Sequence, residues 1–370
     1  MAAHRWREGW VAWRNRLLSD ARFQRWAAGF PLTRGIANRR ATALFDVVAG
    51  FVYSQVLTAC VELGLLERLL RAPTAAAELA EDLSLPLESA ERLLAAAAAL
   101  GLAERVGDGR FALGPQGAAL LGNAGLKDMI AHHALLYADL ADSVGVLRRG
   151  RGELARFWPY AEAGGARAAA AEAVSAYSAL MTSTQPAVAA EILHAYDVRR
   201  HKSVLVVGGG EGAFLAAAGA DAPKLGLILF DLPAVCERAQ RHFESRGLSQ
   251  RATAIGGDFL TDPIPRGADL MTLVRIVHDQ SDQGALTLLR NIRSALPSEG
   301  ALLVAEPMSG APKADRVADA YFGMYLLAMG RGRARTPAEI VSLLREAGFG
   351  HFRRLRTRTP SLLSIIVARR

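Results

Sequence analysis

From residue 201 to the end of the chain, short apolar runs alternate with amphipathic stretches. The stretches at 204–207, 225–230, 252–256, 269–274, 301–305, 351–356 and 363–368 are short and read as strands, with helices between the first five. That rhythm predicts an α/β domain on a Rossmann-like, seven-stranded, mostly parallel sheet. The last two runs follow one another with no room for a helix, so they form an antiparallel hairpin. Upstream, residues 42–62 place Phe45, Val48, Val52 and Val56 at helical spacing and predict a helix apolar enough to be interior, with a dimer core as its expected role. Residues 63–119 read as helix, Pro73-Thr74, helix, Pro86, helix, and then alternating strands about Asp108-Gly109, a β-hairpin signal. Three helices and a hairpin make a winged helix. The pattern therefore divides the chain into an arm at 1–41, a winged-helix-like domain at 42–125, a helical segment at 126–200 and the α/β domain at 201–370.

Composition narrows the classes. With 51% apolar residues the 370-residue chain can bury more than one core, which excludes general disorder. Cys60 and Cys236 lie far apart without a metal-ligand pattern and read as packed thiols in a reducing compartment. No apolar run of about 18 residues is free of charge and no signal-peptide core opens the chain, so the expectation is a cytoplasmic protein, soluble or peripheral at a membrane.

The net charge of +8 is concentrated at the start, where Arg5, Arg7, Arg14, Arg16, Arg22, Arg25, Arg34, Arg39 and Arg40 interleave with Trp6, Trp10, Trp13, Phe23, Trp26 and Phe30. Such an arm suits either an anionic membrane surface or a dimer partner. Nucleic acid is excluded as the partner. A DNA-reading winged helix needs a basic third helix, and here Leu87-Glu88-Ser89-Ala90-Glu91-Arg92 is acidic and leads into alanines.

The chemistry collects where strands end. Gly208, Gly209, Gly210 and Gly212 follow the first strand, Asp231 ends the second, and Gly257-Asp258-Phe259 follows the third. A glycine turn entering a helix brings main chain close to a ligand, and an acid on the next strand meets ribose hydroxyls. A second acid and an aromatic ring suit an adenine. The fourth strand leads to Arg275, His278 and Asp279, and the fifth ends on Glu306. A histidine beside a carboxylate is the simplest base for a hydroxyl. His132 and His133, adjacent on an apolar helix, point to different faces and read as core residues rather than metal ligands. No acid cluster suits a divalent metal.

Glycine and acid alone fit a nicotinamide cofactor as well as S-adenosylmethionine; the closing hairpin favours the second. Gly-Gly-Gly-x-Gly, Asp231, Gly-Gly-Asp-Phe, Arg-x-x-His-Asp and Ala305-Glu306-Pro307 together resemble the class I S-adenosylmethionine-dependent O-methyltransferases of the caffeic-acid and acetylserotonin type, over residues 42–370. The Trp-rich start, Phe51-Val52-Tyr53-Ser54-Gln55 and residues 131–140 resemble most the hydroxyneurosporene (demethylspheroidene) O-methyltransferases of bacterial carotenoid synthesis.

The resemblance implies a homodimer whose 42–125 domain dimerises, with S-adenosylmethionine held by Tyr160, Gly208, Gly210, Asp231, Gly257, Asp258, Phe259 and Arg275. His278 is then the base, Glu306 its partner with Asp279 the lesser candidate, and Tyr321, Phe322, Tyr325 and Met329 line a pocket for a lipophilic acceptor such as a 1-hydroxycarotenoid. Alternative readings are methylation of another pigment, a phenol or a polyketide, or a ligand sensor without catalysis. Three positions depart from the family pattern: Val206 for an acid, Gln280 for a tryptophan, and Ala334 for a second glutamate flanking the histidine. The last departure leaves His278 an expected single carboxylate partner.

Overall fold

A computed structural model describes residues 2–157, 171–310, 314 and 316–370. The chain divides into two compact units, Met1–Ala119 and Leu120–Arg370.

The first unit opens with the helices Ala2–Ser19, Ala21–Gly29 and Pro31–Glu62. Asp20 starts the second by accepting from the N–H groups of Arg22 and Phe23, and Pro31 starts the third at the first turn, where its missing N–H costs nothing. The third helix buries Cys60, but Phe45, Val48, Phe51 and Val52 are exposed. Among the described residues no element of this unit covers that apolar face, as a helix expected to serve a dimer core leaves it. By length and composition alone this helix is also apolar enough to cross a membrane, a test that core helices pass as well.

The winged helix follows as expected. Helices Leu65–Arg71, Ala76–Asp82 and Leu87–Ala99 pack Leu65, Leu66, Leu69, Leu79, Leu94 and Ala97 into a small core. Strands β1 (Thr74–Ala75), β2 (Ala103–Arg105) and β3 (Arg110–Leu113) form an antiparallel sheet in the order β1-β3-β2. Asp108 and Gly109, at φ 61° and 69°, make the turn, and both central residues at positive φ match the right-handed twist of the strands.

The second unit is built on seven strands, β4 (Ser203–Val207), β5 (Gly226–Asp231), β6 (Ala252–Gly256), β7 (Leu270–Val274), β8 (Ala301–Glu306), β9 (His351–Leu355) and β10 (Ser364–Arg369). Their order is β6-β5-β4-β7-β8-β10-β9, with β4 to β8 parallel and β10 antiparallel to both its neighbours. Successive residues of β4 serve opposite faces. Val204 and Val206 join a core with Val188, Ile192, Phe214 and Phe243, whereas Leu205 and Val207 join one with Leu288, Leu289, Ile292 and Ile340. Helices cover both faces, which is why the strands read as unbroken apolar runs rather than alternations. Both cysteines are free and buried, and burial pushes Cys60 up to about 11 and, with help from the Asp231 charge, Cys236 up to about 12.

Candidate active site

The strand order reverses between β4 and β7, so the carboxyl ends of β6, β5, β4, β7 and β8 form one edge with the glycine turn at its centre. Gly208 has φ 70°, and a Cβ there would lie 2.6 Å from the Ile276 side chain. Gly210, at φ 59°, has nothing within 4 Å of where its Cβ would be. The main chain at Gly210 is open to a ligand, which the cofactor expectation requires. Gly209 packs on Val206 and Leu229, so the side chain at the departed position closes the turn from the core side. An acid there would be buried among apolar neighbours.

Asp231 accepts from the Gly210 N–H at 2.8 Å and from the Leu232 N–H at 2.7 Å. Burial pushes its carboxyl up to about 6 against those two donors and the Arg238 charge. After β6, Gly257 leaves no space beside Phe230, and Asp258 caps the next turn by accepting from the Leu260 N–H at 2.9 Å. The Phe259 ring reaches across to within 3.5 Å of the Gly208 Cβ position. The structure thus brings Gly208, Gly210, Asp231, Gly257, Asp258 and Phe259 to one edge. Tyr160 lies outside the described residues.

Arg275 follows β7 in the left-handed region at φ 57°, an uncommon conformation for a residue with a side chain. Its N–H donates to the Ala305 carbonyl at 2.9 Å and its guanidinium to Thr184 Oγ1 at 3.0 Å, on the helix Ala171–Ala195. The reversal it makes in the chain turns the next residues, Val277–Asp279, back over the end of β8.

There Glu306 organises the turn. One carboxylate oxygen accepts from the N–H groups of Ile276 and Val277 at 3.0 and 2.7 Å, and the other accepts from His278 Nδ1. The second imidazole nitrogen, Nε2, faces Asp279 Oδ1 at 3.0 Å. Two carboxylates therefore flank the histidine, correcting the expected single partner. The second comes from the adjacent residue rather than from position 334, where Ala334 packs on Ala314 and Ala318. Burial lowers the His278 pKa, but the charges of Asp279 and Glu306 and their hydrogen bonds outweigh it and hold the group up at about 10. Burial raises the Asp279 pKa against the opposing pull of His278.

Phe322 places its ring 5.7 Å from the imidazole. It belongs to a π-helical segment, Arg316–Phe322, that runs into the helix Gly323–Ala328. The wide turn is of the kind that recurs at functional sites. Tyr321 and Tyr325 stack at 5.8 Å beside it. Their hydroxyls meet His133 Nε2 at 2.8 Å and His132 Nε2 at 2.9 Å. Adjacent histidines thus each reach one of two tyrosines a helical turn apart, so both are hydrogen-bonded, part-buried residues of one wall. Burial and the neighbouring His133 lower His132 to about 4, so this wall is uncharged near neutrality. Met329 is buried with Leu136, Val146 and Leu154. Among the described residues no group of three or more histidine, cysteine or acidic side chains could hold a metal.

Sequence reasoning missed Arg335. It is 2% exposed and donates to the carbonyls of Val277 and Gln280, both at 2.7 Å. The alternation Arg331-Gly332-Arg333-Ala334-Arg335 looks like a solvated stretch, and only the buried acceptors reveal otherwise. Gln280, at the departed tryptophan position, is buried and accepts from Arg331 at 2.8 Å. Thr184 was also missed; nothing in its local sequence points to Arg275.

Comparison with known proteins agrees with this geometry. Residues 137–350 match an O-methyltransferase domain and residues 45–123 an O-methyltransferase dimerisation domain. The chain is 43% identical to demethylspheroidene O-methyltransferase of Cereibacter sphaeroides, covering 95% of this chain and 93% of the relative. It is 42% identical to the Rhodobacter capsulatus protein of the same name, covering 92% and 85%. A methyltransferase of calicheamicin biosynthesis, solved in its SAH-bound form, superposes with a TM-score of 0.75 at 27% identity, covering 90% of this chain and 98% of that one. The dimerisation match begins within the exposed apolar helix Pro31–Glu62. The chain belongs to the S-adenosylmethionine-dependent O-methyltransferases.

Proposed function

We propose that this enzyme methylates the hydroxyl of a lipophilic acceptor, a 1-hydroxycarotenoid such as demethylspheroidene or hydroxyneurosporene, with His278 as the base. The observation that carries the reading is the imidazole held by Glu306 and Asp279 beside the glycine turn and under Phe322. Glu306 accepts a hydrogen bond from Nδ1–H and so fixes the tautomer; Nε2, once it has lost its own proton, is the atom that receives the hydroxyl proton. An aliphatic hydroxyl is far less acidic than a phenol and calls for a stronger base. Two carboxylates supply it by stabilising the imidazolium that forms. The consequence is a base that must first lose its own proton, so turnover rises with pH.

S-adenosylmethionine, when bound, supplies an electrophilic methyl group. Gly208, Gly210, Asp231, Gly257, Asp258, Phe259 and Arg275 would hold it, and the open main chain at Gly210 fits that role. Phe322, Tyr321 and Tyr325 present ring faces whose polar atoms are already engaged by histidines, a wall suited to an apolar acceptor. We place Met329 behind that wall.

We also assign residues 42–125 to dimerisation, 126–200 to the pocket wall and 201–370 to cofactor and catalysis, with the arm 1–41 contacting an anionic membrane from the cytoplasmic side. Trp6, Trp10, Trp13 and Trp26 are each 48% exposed or more. A cavity of about 560 Å³ between the arm's helices is lined by Phe23, Ala28, Ile36 and Leu44, with Arg25 and Arg40 among them. Apolar space beside arginines is the pattern that takes acyl chains under anionic head groups. The test is incubation with methyl-labelled S-adenosylmethionine and a panel of hydroxycarotenoids and phenols. Label in the carotenoids is the expected result, and label confined to phenols refutes the acceptor assignment.

A further inference from the structure

We propose that Arg335 is a positioning residue that sets the height of the catalytic imidazole, acting through a strap of residues 331–336 beneath the His278 turn; this rests on the reading of His278 as the base. The turn is gripped from two sides. Glu306 holds its N–H groups at Ile276 and Val277, and the strap holds its carbonyls. Arg335 Nη1 donates to the Val277 carbonyl and Nη2 to the Gln280 carbonyl, while Nε and Nη2 reach Asp282 Oδ1 at 2.9 and 2.7 Å. The Arg333 N–H donates to the remaining carbonyl of interest, that of His278 itself, at 2.8 Å. Residues on both sides of the imidazole are therefore tied to one guanidinium.

The strap lies in close contact with what it supports. Gly332 has φ 81°, and a Cβ there would come within 2.1 Å of the His278 carbonyl oxygen and 2.8 Å of the Asp279 backbone. Its far end is fixed by the capping box in which Thr336 and Glu339 exchange hydrogen bonds at the start of the helix Pro337–Glu346, with Arg333 on Glu339 at 2.7 Å. Its near end is fixed through Gln280, which accepts from Arg331. Only a planar fork can serve two carbonyls and a carboxylate at once, which a lysine ammonium cannot reproduce. Asp282 neutralises the charge, as a buried guanidinium requires. Arg335 touches neither of the side-chain nitrogens of His278, so it acts through the turn.

The test uses the full-length enzyme with methyl-labelled S-adenosylmethionine and the hydroxycarotenoid that turns over. Arg335→Met is expected to lower kcat about a hundredfold, as ångström-scale misplacement of a base does. KM and S-adenosylhomocysteine affinity stay unchanged, and the rising limb of the pH profile shifts. Arg335→Lys is expected to rescue little, and millimolar guanidinium added to Arg335→Met to restore part of the rate. His278→Ala with Arg335→Met should be no slower than His278→Ala alone, since the two act on one step. Retained kcat in Arg335→Met, or multiplying losses in the double variant, overturns the proposal. Should Arg335→Met fail to fold, Asp282→Asn carries the same readouts, with a smaller loss and the same limb shift expected and an unchanged profile overturning it. Turnover retained by His278→Ala would instead remove the base reading, whatever Arg335 does.

Discussion

On the helix Pro31–Glu62 of the first unit, Phe45, Val47, Val48 and Phe51 stand 62–74% exposed, whereas the four residues 204–207 of the second unit do not exceed 1%. Both stretches are apolar, and composition does not separate them. The sheet strand finds helices of its own unit on both faces, but the helix finds nothing comparable among the described residues of its own unit. Fully burying such a side chain is worth about 1.5–3 kcal/mol, so a row of them left in water is half of an interface. The dimerisation match begins within this helix and suggests a homodimer. On the proposed reading, one unit is completed by association and the other carries the chemistry.

That contrast can be broken in order of expected effect. His278→Ala should lower turnover by about 10²–10⁴-fold while dimerisation and S-adenosylhomocysteine binding persist, measured by label transfer, ultracentrifugation and calorimetry. Retained turnover would move the chemistry elsewhere. Phe45→Asp combined with Phe51→Asp should raise the dimer dissociation constant about a thousandfold or more, because two carboxylates per copy would be buried unpaired. A dimer that survives in the ultracentrifuge would disqualify this face.

Phe243→Ala, beneath Gly212, should cost about 3–5 kcal/mol and lower the melting temperature at every protein concentration, since it removes a fully buried ring from a core that needs no partner. A melting shift that grew on dilution would mean the second unit also depends on association.

The next effect is a shift of pH dependence within the second unit. His278 is raised from 6.5 to about 10, so its favourable protonated contacts contribute stability fully present below pH 6.5 and lost as pH rises through about 10. Catalysis runs the other way, because the base works only when neutral. The rising limb of kcat should therefore lie above pH 6.5, and Asp279→Asn should move it to lower pH by removing one negative charge from Nε2. An unmoved limb would show that Asp279 does not set the base. The smallest effect on catalysis is expected from deleting residues 1–40: binding to phosphatidylglycerol vesicles at low salt should be lost while turnover of a detergent-dispersed acceptor stays within about twofold. Unchanged vesicle binding would strip the arm of its membrane role.

What the amino-acid order determined by itself was everything with a short period or a local turn. Apolar runs marked most of the seven strands, Asp108-Gly109 marked the hairpin, and glycines after β4 with acids ending β5 and β8 marked the edge where ligands bind. These signals are legible because a strand, a hairpin turn and a glycine turn each follow from neighbouring residues. Tertiary structure alone decided which groups meet across long separations. Glu306 reaches His278 over 28 positions, Arg335 reaches Val277 over 58, and His132 reaches Tyr325 over 193. A buried arginine, a glutamate on Nδ1 and a histidine satisfied by a tyrosine have no periodic signature, since their partners come from other elements. The exposure of the helix Pro31–Glu62 belongs with them: hydrophobicity says that a face will be covered, and only the packed chain says that it is not covered from within.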